Sequence, residues 1–599
     1  MKKTKLLCVM SALFMMASCS NGNSGTSNAH VHTFKSEWSY DSDYHWHASN
    51  CGHDDEKKDY AKHTYGNPTF KDGKMVVPCT VCGKTNDYNP DGVNGFNDVT
   101  KFNDTIEIHT AAQKEYLEYT GEYKTIPTSS YPDGKKTNSN PVQVDNQDVE
   151  ATKTTVTWDY DDHNDEVTYS VSISTKQDFS DGFEIKGNNE QSIDLYNLFL
   201  GTNYYRINAY DGEDVVSSGT YALNVDTTYP RNLYVGTKMT NCRDMGGRVL
   251  PSGGTIKQGL LYRTCGNGYN QDGVKIDDEG KDIMLNQLKV KSEIVLHNDD
   301  GFNFNLNGTT VYKNYMDYKG STKSKHHFSR NTENVINTFK ILADMDNYPV
   351  YYHCRIGTDR TGLIAILVNG LLGVELNDIY QDYLFSNFGK IGEKRYIGTQ
   401  AGQDDISVYI SEIEAAPGKN FQEKVYNVLL SIGVTKETLA AVIDNLVEGN
   451  KPANDNGQVA VSPDKMTVEG TTVNHEDKSS LIARNAPEYS AVMSAGATAE
   501  ATFNVTKAGE KTLYAYLGHG DQSTSKTIGA SISVTIDGND VTIPTLTFSD
   551  AGFGQCNGNR TNYYFVKLGD VGNLSVGEHT VVVTGVANDV ILGNLALVC

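Results

Sequence analysis

Residues Tyr348 to Val374 read YPVYYHCRIGTDRTGLIAILVNGLLGV, and this stretch decides the fold of the middle of the chain. Val350 to His353 is a short β-branched and aromatic run without polar alternation, as expected of a strand buried on both faces. Cys354 to Arg360 reads as a loop, and Thr361 to Leu372 as an apolar helix. A loop opening directly onto a helix presents unpaired backbone N–H groups and the positive end of the helix dipole, which bind an anion and lower a thiol's pKa. Cys354 is therefore expected to be a thiolate nucleophile. The amides of Arg355, Ile356, Gly357, Thr358, Asp359 and Arg360 can close around a tetrahedral oxyanion while the Arg360 guanidinium takes two of its oxygens. Gly357 supplies the backbone freedom that so tight a cup requires.

This is a Cys-x5-Arg signature, and HCRIGTDRTG at His353 to Gly362 resembles the tyrosine-phosphatase superfamily. NCRDMGG at Asn241 to Gly247 and GTIKQGLLYRT at Gly254 to Thr264 resemble the opening elements of its bacterial branch of secreted protein-tyrosine and phosphoinositide phosphatases. The resemblance implies hydrolysis of a phosphomonoester through a phosphocysteine, with Thr361 hydrogen-bonding the departing thiolate and no cofactor for catalysis. That branch commonly carries Lys where this chain has Thr358, which weighs against highly charged inositol phosphates. The leaving oxygen needs a proton. Relatives take it from an Asp some tens of residues upstream; Asp317 in NYMDYKG fits that place, Asp359 inside the loop is its rival, and Asp299 and Asp300 come third. KGSTKSKHHFSR, from Lys319 to Arg330, is a basic island, readable either as a substrate-gathering lid or as a solvated face. His353 is expected to tune the thiol through backbone contacts.

Around this core the chain has 599 residues, enough for several domains at about 150 residues each. Acidic residues outnumber basic ones 75 to 52, and a net charge of -23 opposes binding to nucleic acid or anionic lipid. The expected layout is a lipoprotein signal peptide at 1–18, a tether at 19–29, a Cys/His-rich module at 30–90, a fibronectin type III-like β-sandwich at 103–227, the catalytic domain at 228–449, a linker at 450–458 and a galactose-binding-like or carbohydrate-binding-module-like β-sandwich at 459–599. The fold class is multidomain: an α/β cysteine-phosphatase domain flanked by all-β sandwich domains and a small N-terminal Cys/His-rich module.

Lys2, Lys3 and Lys5 followed by apolar Leu6 to Met16 read as an export signal, too short to span a bilayer. Met16-Ala17-Ser18-Cys19 resembles a bacterial lipobox, which makes Cys19 the lipidation site and the expected location extracytoplasmic, bound to the bacterial cell membrane by the lipid anchor alone. In the next segment Cys51, Cys79, Cys82, His47 and His53 have types and spacings that suit a structural zinc, or else simply pack. Alternating runs such as VTYSVSIST and YYRINAYDG read as sandwich strands, with Trp158 as a core tryptophan and Leu198 to Tyr204 resembling a tyrosine corner in which Leu200 replaces the usual Pro. The C-terminal strands imply glycan binding by resemblance, with Tyr514, Tyr516, Tyr563 and Tyr564 as platforms or as core. Expected partners are a phosphorylated protein or small phosphomonoester and a cell-surface glycan. The competing class is a non-catalytic surface adhesin that holds phosphorylated or glycan ligands. Cys242 and Cys265 either form a protective disulfide or are merely buried.

Overall fold

The computed structural model describes residues 31–66, 68–71, 74–87, 94–125, 152–266, 276–298, 306–316, 331–389, 395, 397, 406–414, 416, 418–452, 459–475, 489–519, 528–545, 562–587 and 590–598. Cys19, Asp299, Asp300, Asp317 and the basic segment from Lys319 to Arg330 lie outside the described residues. The chain divides into two compact units, 1–67 with 77–87, and 68–76 with 88–599. Among the described residues no helix is long and apolar enough to cross a membrane.

The smaller unit is a three-stranded antiparallel sheet, Phe34–Tyr40, Tyr44–Ser49 and Lys57–Lys62 in spatial order, followed by the Cys79 to Cys82 turn.

The larger unit opens with a β-sandwich. Its four-stranded sheet runs Phe183–Lys186, Val167–Ser174, Gly201–Asp211, Asp214–Val225, and faces a pair formed by Ser192–Leu195 and Thr154–Thr157. Trp158 is buried in the shared core, edge-on to Tyr169. The tyrosine-corner expectation fails: Tyr204 is only half-buried and its hydroxyl accepts from the Gln177 amide, as suits an outward position beside buried Tyr205. Fully buried Asn203 closes that turn instead, its side chain bonding the Phe199 N–H at 2.9 Å and the Phe199 and Gly201 carbonyls at 2.7 and 3.0 Å. The sandwich boundaries also differ from the sequence reading. Phe96 and Val99 already belong to its core, whereas the helix Ala111–Leu117, opened by a Thr110–Gln113 capping box, packs Tyr116 and Leu117 into the core of the following α/β domain. Tyr116 donates to the Gln381 carbonyl at 2.8 Å.

The α/β domain that follows is built on a five-stranded sheet ordered Arg243–Asp244, Leu261–Thr264, Val350–His353, Ser292–Val295, Thr310–Lys313. All neighbours are parallel except the first pair. Its three central strands are buried at every position, as parallel strands covered by helices on both faces must be. The helix Asp359–Leu371 is buried over its whole length, which explains why its sequence is apolar all round. Leu376–Phe385 and Phe421–Ser431 pack against it, and Thr332–Ala343 pairs with Lys436–Leu446.

The C-terminal domain is a second sandwich, with one sheet centred on Val590–Val598 and Gly509–His519 and the other on Thr498–Val505 and Gly577–Gly585. Alanines, valines and leucines fill the space between them. Tyr516 points out of this sandwich and is buried in the core of the α/β domain, so it is not a sugar platform; Tyr514 is half-buried, and the side chains of Tyr563 and Tyr564 lie outside the described residues.

Candidate active site

The loop Cys354 to Arg360 leaves the carboxyl end of the central strand, where parallel sheets open their ligand crevices. What shapes it is the disposal of its carbonyl oxygens. The Cys354 carbonyl accepts from His353 Nδ1 at 3.1 Å, and the Arg355 carbonyl from the Gly266 N–H at 3.0 Å. Asn241 Nδ2 reaches the Ile356 and Gly357 carbonyls at 3.2 and 3.1 Å, and Arg263 Nη2 the Gly357 carbonyl at 2.9 Å. Every one of these donors stands outside the loop. Because peptide N–H and C=O groups point in opposite directions, tying successive carbonyls outward turns the amides toward the loop's own centre. Gly357 has φ +75°, and a Cβ there would lie 2.5 Å from the Thr264 carbonyl oxygen, so no other residue fits.

The donors are themselves held. Arg243 bonds the Asn241 amide oxygen at 2.5 Å and Asp382 Oδ1 at 2.8 Å; Arg263 meets the other Asp382 oxygen, and Tyr229 donates to Oδ1 at 2.9 Å. Burial works against the charge of Asp382, yet Arg243 and Arg263 hold its carboxyl well below the usual carboxylate range. His353 is fixed from behind by buried Glu293, 2.9 Å from Nε2. Asn241, Arg243 and Arg263 fall inside the two upstream motifs, but Asp382 and Glu293 carry no sequence signal beyond a charge in an apolar stretch.

Cys354 is 1 % exposed at the foot of this cup, and its backbone N–H donates to the Thr361 hydroxyl at 2.7 Å. Burial opposes its ionisation, and so does the neighbouring Asp359 carboxylate. The Arg360 guanidinium together with the Thr361 hydroxyl and amide outweigh them, and the thiol is held below its ordinary value. Cys354, Gly357, Arg360 and Thr361 thus converge, while Arg355 points to solvent and Ile356 packs beside a small apolar cluster.

Asp359 is engaged rather than free: its Oδ2 accepts from the Thr358 hydroxyl at 2.9 Å and from Arg395 at 3.2 Å. Arg395 also gives the Thr358 hydroxyl two hydrogen bonds, of 3.0 and 2.8 Å. Nothing in the sequence around Arg395 marked it. Cys242 and Cys265 are both buried free thiols; Cys242 donates to the Thr240 carbonyl at 3.3 Å and Cys265 accepts from the Thr240 N–H at 3.2 Å.

In the smaller unit the expected metal ligands do not gather as one set. Cys79 and Cys82 meet His45 and His63, whereas Cys51 and His53 meet His32. His47 joins neither group, because its ring stacks on Trp38 at 3.9 Å and its Nδ1 lies 3.2 Å from the Glu37 carbonyl.

Comparison with known proteins places the same region. A family model described as "Tyrosine phosphatase family" matches residues 236–449. Among solved structures, the core catalytic domain of the PP-IP phosphatase SIW14 from S. cerevisiae is 19% identical, covering 24% of this chain and 77% of that one at a TM-score of 0.17. A family 35 carbohydrate binding module from Clostridium thermocellum is 15% identical over 23% of this chain and 96% of its own, TM-score 0.17. The C-terminal CBM6 of LamC from Zobellia galactanivorans is 12% identical over 24% and 99%, TM-score 0.17. No curated protein matches the chain. The chain is therefore a multidomain protein with a phosphatase domain at 236–449, the region similar to the tyrosine phosphatase family model, beside β-sheet regions.

Two outcomes follow from the cup. Iodoacetate should alkylate Cys354 with a pH midpoint below that of a free thiol, and Arg360→Met should move that midpoint upward, read by mass spectrometry of the modified peptide; an unchanged midpoint would contradict the role given to Arg360. Gly357→Ala should abolish tungstate binding measured by calorimetry while the thermal transition persists, whereas unaltered affinity would mean that the loop amides do not form the cup.

Proposed function

We propose that the chain is a cysteine-dependent phosphomonoester hydrolase, of the protein-tyrosine or dual-specificity kind. The observation that carries this reading is the thiol lowered by Arg360 inside a loop whose carbonyls from Cys354 to Gly357 are drawn outward. Cys354 Sγ attacks phosphorus, and the bond to the leaving oxygen breaks as a carboxylic acid delivers its proton. Loop amides and Arg360 meanwhile hold the three equatorial oxygens. Water then attacks the phosphocysteine and gives its proton to the carboxylate left by the first step, the S–P bond breaks and Thr361 stabilises the returning thiolate. Asp317 is proposed as the acid. Asp359 is the weaker candidate because Arg395 and Thr358 already occupy its carboxylate. That same pairing consumes the charge of Arg395, so Arg395 does not stand in for the lysine whose place Thr358 takes, and a substrate with one phosphate suits the site better than a phosphoinositide or inositol polyphosphate. We further propose that Cys19 anchors the protein on the outer side of the cell membrane and that the C-terminal sandwich holds a glycan.

The test is phosphate release from p-nitrophenyl phosphate, phosphotyrosine and phosphoserine peptides and inositol phosphates by the full chain. Cys354→Ser should reduce turnover to background, and Asp317→Asn should lower it by about 10²–10⁴-fold. A rate unchanged in Asp317→Asn but lost in Asp359→Asn would transfer the acid role. A chain that binds tungstate yet hydrolyses none of these esters would be the adhesin.

A further inference from the structure

The smaller unit has almost no apolar core. Among its described residues only His45, Ser49 and Cys79 are fully buried, and the strand Lys57–Lys62 is exposed at every position. A sheet of three short strands cannot hold itself together on such burial; domains this small are ordinarily stapled by disulfides or a metal. The cysteines here are free thiols. Two of the three buried residues, His45 and Cys79, belong to one cluster with His63 and Cys82, in which the four ligand atoms all lie within 4.8 Å of one another.

We propose that His45, His63, Cys79 and Cys82 bind one structural Zn²⁺, and that this ion takes the place of the missing core. Zinc with two sulfurs and two nitrogens arranges its tetrahedron with neighbouring ligand atoms about 3.3–3.8 Å apart. His63 Nδ1 stands 3.4 Å from Cys82 Sγ, and His45 Nδ1 stands 3.9 Å from Cys79 Sγ. The ring of His63 is set for this role, since its Nε2 faces the Asp41 carbonyl at 3.2 Å. A carbonyl only accepts, so Nε2 carries the hydrogen and the Nδ1 lone pair is left facing the sulfurs. Asp41 is held in turn by Lys84, whose Nζ bonds the Asp41 and Ser42 carbonyls at 2.6 and 2.8 Å.

The turn between the cysteines is also shaped for a metal. The Cys79 N–H donates to the Lys84 carbonyl at 2.7 Å and the Gly83 N–H to the Cys79 carbonyl at 3.0 Å, while Gly83 adopts φ +73°. This brings both sulfurs to one side of a tight turn. Four protein ligands with two of them buried leave no open position, so the site is structural rather than catalytic. The chemistry is independent of the phosphatase reading and survives its failure. On binding, the two thiols lose their protons to solvent as two Zn–S and two Zn–N bonds form, with no change of oxidation state.

Elemental analysis of the full chain, purified under reducing conditions and gel-filtered in EDTA, should find one zinc per molecule. Exchange for Co²⁺ should give the visible bands of a tetrahedral site with thiolate-to-cobalt charge transfer in the near ultraviolet. Cys82→Ser should abolish both signals and Cys51→Ser should leave both unchanged. Since Cys82→Ser could simply unfold the unit, His63→Cys is the second variant: it should keep the cobalt and strengthen the charge-transfer band by a third thiolate, which no folding defect produces. Absence of zinc, a Cys79–Cys82 disulfide in the purified chain, loss of the metal in Cys51→Ser, or a cobalt spectrum unaltered in His63→Cys would each overturn the proposal.

Discussion

The catalytic domain depends on where seven residues of backbone point their carbonyl oxygens. A loop at a helix N-terminus will attract an anion whatever its detail, but a concave ring of amides forms only if each intervening carbonyl has a better partner elsewhere. For the carbonyls of Cys354 to Gly357 those partners are Asn241, Arg263, His353 and the Gly266 N–H, and behind them stands Asp382, the shared counter-charge of Arg243 and Arg263 where water cannot reach. The two arginines and the carboxylate are all buried, so removing Asp382 would leave two guanidinium charges without their counter-ion, a change that typically costs about 3–5 kcal/mol. This burial ties the loop's shape to the stability of the domain that carries it.

Much of this was legible from residue order. The strand, loop and helix around Cys354 are local features: a buried parallel strand and an all-round apolar helix have distinctive patterns, and a glycine between them marks the strained point. The sandwiches were legible for a similar reason, because alternation with period two reports one buried face. The upstream NCRDMGG and LYRT segments were recognisable as motifs, yet their task, holding the loop carbonyls, emerges only once the sheet sets Leu261–Thr264 beside Val350–His353.

What escaped the sequence is what depends on long-range neighbours. Asp382 lies on a helix after the loop, and Arg395 later still, and neither has a spacing that points back to Cys354. His45 and His47 look equivalent in a strand pattern. A register shift lies between them, and Trp38 touches both, stacked on His47 but edge-on to His45, whose ring reaches the cysteines. Tyr516 has the alternation of a surface platform and is covered by another domain of the same chain, while the segment around Tyr116, grouped with a sandwich by its place in the sequence, serves the catalytic core.

The most direct measurement of the central claim is a crystal structure of the full chain grown with orthovanadate. The account predicts vanadium bonded to Cys354 Sγ, its equatorial oxygens within hydrogen-bond distance of the loop amides and of the Arg360 guanidinium, with the Ile356 and Gly357 carbonyls still held by Asn241 and Arg263. Vanadate bound elsewhere, or a loop whose carbonyl oxygens face the sulfur, would contradict it.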